Sequence, residues 1–296
     1  MVDPGTLSRS IDVLAGQNGS STNIALIHHV PVALIDEARI GSRIEAAFLN
    51  TNHAKMYIAI NTVALESCVV GKSNLYRRSD VERLNATLIP ARSQALNTTE
   101  PRTYGLPAFG RFMAEDNMIA SALWHELGLR HDLSCDVARN VVGNMSFMDY
   151  VWRRVRWIRV RKHMVLAATI LEPFTESLVL SLVGAFSCRI LFKVSPWIFV
   201  SLHYVLWLYV DLDVYESIAG HKVRGGNMLS FLFAWACREI LALPIFLLAI
   251  FGDEVTWRGR NYQLLRNGEA KLSTRQKPYS SSWFRFFSRT DQYHQI

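Results

Sequence analysis

The sequence predicts an α/β domain followed by membrane-embedded α-helices. Residues 1–150 alternate helix-like and strand-like patterns, which is typical of an α/β domain. A basic and aromatic stretch follows at Met148–Met164, and from there the chain is largely apolar to Phe251. Hydrophobic residues make up 50% of the 296 residues, which suits a partly membrane-embedded protein.

The basic stretch Met148–Met164 marks the boundary between the two regions. Its arginines and lysine are interleaved with Trp152 and Trp157, a composition that suits a cytosolic membrane surface with anionic lipids. The alternative is a solvated basic helix that binds nucleic acid. The apolar run that follows, together with a net charge of +7, favours a lipid bilayer and no nucleic acid as the partner.

We therefore divide the chain into four parts. These are an α/β domain (1–150), an interfacial hinge (151–163), a membrane region of about three apolar helices (164–251) and a basic cytosolic tail (252–296).

The elements of the first domain follow from hydrophobic periodicity and turn residues. We predict, in order, a helix at Leu7–Leu14, a buried strand at 24–28 that Pro31 ends, an amphipathic helix within Asp36–Asn50, strands at Tyr57–Ala64 and Cys68–Gly71, a short helix from Asp80, a surface loop at 85–107, a helix at Ala114–Leu127 and a strand at Val137–Val142.

The three apolar segments are Met164–Ser187, Ile190–Val210 and Leu229–Phe251. Glu172 and Glu176 interrupt the first of them, and a charge at the bilayer centre costs about 2.5–3.5 kcal/mol on insertion scales. The hinge and the tail are both basic, so both are expected in the cytosol. Three full crossings would separate them, so we expect Met164–Ser187 to be re-entrant or in the membrane plane.

Several short motifs do not carry the chemistry that they suggest. The sequence Gly71-Lys72-Ser73 has Glu66 where a phosphate-binding loop needs glycine. The spacing from His125 to His131 is too long for a zinc-protease helix. The pair in Asp211-Leu212-Asp213 lies among apolar segments, far from the α/β domain, and the four cysteines form no Cys-x-x-Cys pair.

Two patterns remain as candidates for chemistry. One is the acidic pair Glu115–Asp116 at a helix start, and the other is the run Arg153-Arg154-Val155-Arg156-Trp157. A carboxylate at a helix start is often only a capping or dipole residue. Together, however, the two patterns suit sugar transfer from a nucleotide diphosphate to a lipid. A carboxylate can deprotonate the acceptor hydroxyl, and arginine with a divalent metal can offset charge on the leaving diphosphate.

The chain resembles the ceramide glucosyltransferase family, that is, the inverting, GT-A-folded glycosyltransferases of family 21, and the fungal branch in particular. The resemblance runs from about Pro4 to about Arg266. It rests on these pieces in this order: PGTLSRSIDVL (4–14), IALIHHVP (24–31), CVVGKSNLYRR (68–78), AEDNMIASALW (114–124), RRVRW (153–157), TILEPFTESLV (169–179), FAWACREI (233–240) and WRGRNYQL (257–264).

The resemblance implies a role for six residues. Asp116 matches the catalytic base that takes the proton of the ceramide primary hydroxyl. Arg153, Arg156 and Trp157 match a motif expected near the diphosphate and the acceptor. His28 matches a histidine beneath the nucleotide-sugar pocket, and Cys68 matches a cysteine close to it. The pairs Glu172-Pro173 and Arg238-Glu239 are expected to be polar parts of a lipid cavity or helix contacts.

The implied reaction is transfer of glucose from UDP-glucose to ceramide with inversion, giving glucosylceramide in sphingolipid metabolism. The implied location is a multi-pass protein of the Golgi or ER membrane, with its catalytic domain facing the cytosol. The family also implies a divalent metal, Mg or Mn.

The chain departs from the family at its start. Family members carry a membrane anchor, nucleobase-binding strands and a metal-binding Asp motif before the segment that matches residues 4–14. That motif would lie upstream of Met1, and Asp3 lies too late to replace it. We therefore expect an N-terminally truncated copy in which the metal ligands are missing.

Two alternatives to this reading differ in class. One is a non-catalytic membrane paralogue that binds sphingolipid or a partner. The other is a polysaccharide synthase, although those enzymes usually have Gln at the position of Arg153.

Overall fold

The structure is a computed structural model that describes residues 1–16, 23–36, 39–64, 66–86 and 103–273. Its α-helices are α1 (Thr6–Leu14), α2 (Ile40–Phe48), α3 (Ala54–Val63), α4 (Arg78–Val81), α5 (Glu115–Leu127), α6 (Phe147–Lys162), α7 (Leu166–Leu171), α8 (Ser177–Phe192), α9 (Pro196–Ala219) and α10 (Gly225–Ile250). Its strands are β1 (Ile24–Ile35), β2 (Asn74–Tyr76), β3 (Arg130–Val142), β4 (Glu254–Trp257), β5 (Arg260–Leu264) and β6 (Ala270–Leu272). Most of the predicted loop at 85–107 lies outside the described residues.

The strands β1, β2 and β3 form a sheet in the order β2-β1-β3. Strand β1 lies at its centre, antiparallel to β2 and parallel to β3. Nearly every residue of β1 is buried, as expected for a central strand with a continuous apolar run. The sequence predicted β3 only from Val137, but the strand begins at Arg130.

The prediction that Pro31 ends β1 is wrong, because the strand continues to Ile35 and Pro31 pairs in register with Ala138 of β3. Both backbone groups of Ala33 bond to the Asn50 side chain, on the edge of β1 away from β3. In a parallel strand, the backbone N–H and C=O groups of every second residue point to the same edge. The nitrogen of Pro31 therefore points to the same edge as that of Ala33, away from β3. Strand β2 pairs only as far as His28, and Pro31 therefore removes no ladder hydrogen bond.

The predicted strand at Tyr57–Ala64 is also wrong, because these residues lie in and just after helix α3. A five-residue π-helix, Leu49–His53, joins α2 to α3 in one helical run. Ala54 and Tyr57 are buried on one face, a spacing of three that fits a helix rather than a strand. The segment Cys68–Gly71 is not a strand either. The backbone nitrogen of Val70 donates to the Tyr57 hydroxyl instead of joining a ladder.

Helix α6 carries the predicted hinge. It begins with a capping box, in which the Ser146 hydroxyl accepts from the Asp149 backbone nitrogen and the Asp149 carboxylate accepts from that of Ser146. Val155 and Ile158 are buried on one side of the helix, in the core that includes residues of α2 and α10. The basic residues of α6 therefore flank a buried stripe and are not all solvated.

The described part of the chain has two helices that are long and apolar enough to cross a membrane, α9 and α10. The first predicted segment is broken. Helix α7 continues into a 3₁₀ turn, Glu172–Thr175, and the chain then bends by 58° into α8. Together they form one broken span or a re-entrant loop. The break lies where Glu172 and Glu176 interrupt the apolar run. The predicted class, an α/β region followed by membrane helices, is confirmed.

The tail contains a second sheet that the sequence analysis missed. Strands β4, β5 and β6 are antiparallel in that order. The turn between β4 and β5 has positive φ at Arg258 and at Gly259, as a two-residue hairpin turn requires. Lys162 of α6 bonds the Asp253 carboxylate at 2.6 Å, which attaches this sheet to the end of the hinge helix.

Candidate functional site

Asp116 lies in the first turn of α5, where the helix dipole favours a negative charge. Burial nevertheless raises the pKa of its carboxyl above the ordinary value, and the neighbouring Glu115 raises it further. The backbone N–H groups of Asn117 and Gly71 oppose this shift without reversing it. A carboxylate whose pKa is raised binds a proton more strongly, and this is the property that a general base needs.

Gly71 approaches Asp116 more closely than another residue could. A Cβ atom placed on Gly71 would lie 2.7 Å from Oδ2 of Asp116 and 3.1 Å from its Cβ. The absence of a side chain therefore allows the backbone N–H to reach the carboxylate. The sequence Gly71-Lys72-Ser73, which fails as a phosphate-binding loop, contacts the predicted base.

His28 supports this loop from below. The His28 side chain is fully buried, and its Nδ1 lies 2.5 Å from the Tyr57 hydroxyl. The same hydroxyl accepts from the backbone nitrogen of Val70 at 3.2 Å, next to Gly71. Burial lowers the pKa of His28 to about 3, and His131, 3.3 Å away, lowers it further. His28 is therefore a neutral support beneath the loop.

Cys68 is also part of this loop region. Burial raises the pKa of its thiol to about 11, while Arg161 opposes the shift and Asp116 adds to it. The thiol is therefore protonated at neutral pH and is a poor nucleophile.

A cluster of three cations lies beside the same loop. Arg153 Nε bonds Oε1 of the buried Glu45 at 2.7 Å. Burial lowers the pKa of Lys72 and of Arg156, and the charge of Arg153 lowers both further. Because Lys72 follows Gly71, this positive cluster adjoins Asp116. It is suited to an anion such as a diphosphate.

Trp157 holds the cluster against the helical run of α2 and α3. The Arg153 guanidinium lies 5.2 Å from the centre of the Trp157 ring, and the ring itself is 5.8 Å from that of His53. His53, in the π-helix, stacks on Tyr57 at 5.7 Å. Burial and nearby arginines lower the pKa of His53 to about 3. A line of rings, Trp157–His53–Tyr57–His28, therefore joins the arginine motif to the support beneath Gly71.

The structure thus groups the predicted residues into two neighbouring sets. Asp116, Cys68 and His28 surround the loop 68–73, and Arg153, Arg156 and Trp157 adjoin it through Lys72. Sequence reasoning missed Lys72, Glu45 and Tyr57. The Gly71-Lys72-Ser73 motif was a usable indication for Lys72, whereas Glu45 and Tyr57 reach the site only through long-range packing.

The charges in the apolar segments are paired. Lys55 of α3 bonds Asp211 of α9 at 2.8 Å, so the Asp211–Asp213 motif has a structural partner. Arg238 Nη1 contacts Glu239 at 2.8 Å and Glu176 at 3.5 Å. Lys55–Asp211 therefore joins α3 to α9, and Arg238–Glu176 joins α10 to the residue before α8, so these charges are not isolated in the membrane region.

The described residues do not fit a metal centre. Across residues 1–16, 23–36, 39–64, 66–86 and 103–273, no group of three or more His, Cys, Asp or Glu side chains could hold a metal ion.

The segment Met1–Asp3 contacts strand β3 at Arg139. The amino group of Met1 donates to the carbonyl oxygen of Arg139 at 2.7 Å, and the Asp3 carboxylate pairs with the Arg139 guanidinium. Asp3 is therefore engaged by strand β3. The expectation that the family's metal-binding Asp motif lies upstream of Met1 stays a prediction, since such a motif would not belong to these 296 residues.

Relatives of known identity match most of the chain. It is 36% identical to a ceramide glucosyltransferase of Komagataella phaffii, over 88% of this chain and 62% of the relative. It is 32% identical to that of Candida albicans (77% and 48%) and 30% identical to that of Pyricularia oryzae (89% and 61%). The chain therefore spans about half to three fifths of the length of these relatives. No solved structure matched the chain.

The family model named Glycosyl transferase family 21 matches residues 4–85 and 100–270. The match includes the loop 68–73, Asp116, the arginine motif and the membrane helices. The chain belongs to glycosyl transferase family 21.

Proposed function

We propose that this chain carries the acceptor-activating and membrane part of an enzyme that transfers glucose from UDP-glucose to the primary hydroxyl of ceramide, with inversion. Family membership and the names of its relatives support the class of reaction. The observation that carries the proposal is the position of Asp116, whose pKa is raised, against a loop whose Lys72 belongs to the cation cluster.

The proposed reaction is a single displacement. Asp116 accepts the proton of the ceramide hydroxyl as its oxygen attacks the anomeric carbon of glucose. The bond from that carbon to the diphosphate oxygen breaks, and the electron pair leaves with the diphosphate. Attack opposite to the leaving group inverts the anomeric configuration. Lys72, Arg153 and Arg156 offset the charge that develops on the diphosphate.

The remaining predicted residues act as positioning residues in this proposal. His28 supports the Gly71 loop through Tyr57, and Trp157 orients Arg153. Cys68 is a protonated thiol of the same loop, and the charges of Asp116 and Arg161 act on its pKa. The Mg or Mn ion that the resemblance implies stays a proposal, and the described residues offer no group of ligands for it.

The proposed location is a Golgi or ER membrane with the α/β region facing the cytosol. The candidate membrane helices and the basic helix α6 support it.

The test is a glucosylceramide assay in membranes, with UDP-glucose and a short-chain ceramide. It uses the 296-residue chain and a chimera in which residues 4–270 replace the matching part of the Komagataella phaffii relative. Asp116→Asn in the chimera should abolish transfer, whereas the neighbouring exposed Glu115→Gln should not. Turnover that persists in Asp116→Asn would contradict the assignment of the base.

Other products would favour the other candidates. A polysaccharide product would favour a polymer synthase. An inactive chimera that still inserts into membranes would favour a non-catalytic membrane protein.

A further inference from the structure

Helices α6, α8 and α10 and the 3₁₀ turn Glu172–Thr175 enclose a narrow cleft. One end is lined by the charged residues Arg154, Glu172, Glu176 and Arg238, and the ring of Phe48 lies there too, 3.6 Å from the Arg154 guanidinium. The other end is apolar and is lined by Leu178, Val179, Ala242, Leu243 and Phe246. The polar end is largely buried, whereas the apolar residues are half-buried on helices that belong to the membrane region. The cleft is therefore amphipathic along its length.

Arg238 has unused hydrogen-bonding capacity at the polar end. Its side chain is 2% exposed, and its Nη1 is taken by Glu239 and Glu176. Its Nε and Nη2 atoms have no hydrogen-bond partner within the described residues. A buried guanidinium with two free donors is costly unless other acceptors satisfy it. Because Arg238 lines the cleft, oxygen atoms of a ligand could supply them.

The charges around the polar end balance. Three arginines face three glutamates there: Arg154, Arg161, Arg238, Glu172, Glu176 and Glu239. An anionic headgroup would meet no excess of positive charge, and a cationic one no excess of negative charge. A neutral head that both donates and accepts hydrogen bonds suits this set, since the arginines are donors and the glutamates acceptors.

The polar end is connected through Arg161 to the loop of the candidate active site. Arg161 pairs with Glu172, and its charge lowers the pKa of Cys68, which belongs to the same loop as Gly71, the residue that contacts Asp116. A headgroup held at the polar end would therefore lie on the Arg161 side of the cleft, with its apolar chain directed along the membrane helices.

We propose that this cleft binds the polar head and first chain carbons of a neutral membrane lipid that carries hydroxyl and amide groups. Arg238 donates to its oxygens, Glu176 accepts from its N–H or O–H groups, and Leu243 with Val179 contacts its chain. The inference rests on the proposed function, since it places the lipid acceptor of that reaction.

Photolabelling tests the cleft without requiring turnover. The chimera, in nanodiscs, is labelled with a photoreactive short-chain ceramide and the labelled peptides are mapped. Leu243→Trp fills the apolar end and should reduce labelling of α8 and α10 at least fivefold. Leu247→Trp is the matched control, because the same change on the same helix lies at a half-exposed position outside the cleft lining. Elution as a single species confirms that both variants fold.

Competition by unlabelled lipids and the Asp116→Asn variant distinguish lipid binding in the cleft from glucose transfer. Unlabelled ceramide should compete with the probe, and phosphatidic acid should not. Wild-type labelling of Leu243→Trp, or stronger competition by phosphatidic acid, would overturn the cleft assignment. Asp116→Asn should keep full labelling while transfer is lost. If labelling depends on Leu243 but the wild type transfers no glucose, the cleft stands and the proposed function fails.

Discussion

At the scale of single residues, the candidate base depends on a backbone contact more than on side-chain chemistry. Asp116 is held against the N–H of Gly71, and burial keeps its pKa above the ordinary value. Neither feature is visible in the local sequence, where Ala114-Glu115-Asp116 resembles any capped helix start. The resemblance to a family predicted the residue, while the structure supplies the physical reason why this carboxylate differs from Glu115.

Gly71→Ala should lower the rate of transfer without unfolding the protein. The added Cβ would lie 2.7 Å from Oδ2 of Asp116, so the carboxylate must shift from its present position. We expect at least a tenfold loss of kcat in the chimera and little change in thermal midpoint. Gly110→Ala is the control, since its Cβ would lie 3.6 Å from its nearest neighbour. Unchanged kcat in Gly71→Ala would argue against this contact.

The pH dependence of transfer should report the raised pKa of Asp116. The base must be ionised, so activity is present above this pKa and is lost as the pH falls through it. We expect the acidic limb of kcat/KM to lie above about 3.9, the ordinary value for aspartate. The Glu115→Gln variant should show the same limb shifted slightly to lower pH, because Glu115 contributes to the shift. A limb at or below the ordinary value would contradict the environment described for Asp116.

At the scale of elements, the sequence predicted those with a distinct apolar pattern. Helix α5, with buried residues at helical spacing, and the core of β1, a continuous apolar run, have this property. The segment Tyr57–Ala64 does not, because a short apolar run fits a strand or a helix equally well and only packing decides. Strands β4 and β5 were missed because the charged residues of the tail obscure their alternation. The arginine motif and Asp116 were found, but Lys72 and Tyr57 were not, since their roles arise from contacts between distant elements.

Tyr57→Phe tests whether helix α3 positions the base. The change removes the hydroxyl that joins His28 to the Val70 nitrogen, beside Gly71. Unpaired buried groups should cost about 1–3 kcal/mol of stability. The N–H of Gly71 lowers the pKa of Asp116, so loosening Gly71 should raise that pKa and move the acidic limb to higher pH. Tyr104→Phe, at an exposed tyrosine, is the control. If Tyr57→Phe lowers stability but the acidic limb of the pH profile stays at the same pH, the role of Tyr57 is purely structural.

At the scale of the whole molecule, ion pairs and a hydrogen bond attach the α/β region and α6 to the membrane region. Lys55 of α3 reaches Asp211 of α9, Arg161 of α6 reaches Glu172, and Asn52 donates to Glu176 at 2.9 Å. The acidic residues that interrupt the apolar segments thus pair with polar and basic residues of the α/β region and of α6. This attachment joins the region that carries the candidate site to the candidate membrane helices, as the proposed reaction on a lipid acceptor requires.

The pair Lys55–Asp211 provides the strongest test of this attachment. Asp211 is fully buried and also accepts from Trp235 Nε1 at 2.8 Å, so removing its cation leaves an uncompensated buried charge. Lys55→Met should therefore destabilise the protein by about 3–5 kcal/mol, measured by thermal unfolding in nanodiscs. Lys55→Met combined with Asp211→Leu should recover much of this loss, because the double variant removes both charges. Lys222→Met is the matched control, since that lysine is exposed and lies 4.0 Å from Glu216. Equal stability of Lys55→Met and Lys222→Met would mean that the α/β region is held to the membrane helices by apolar packing alone.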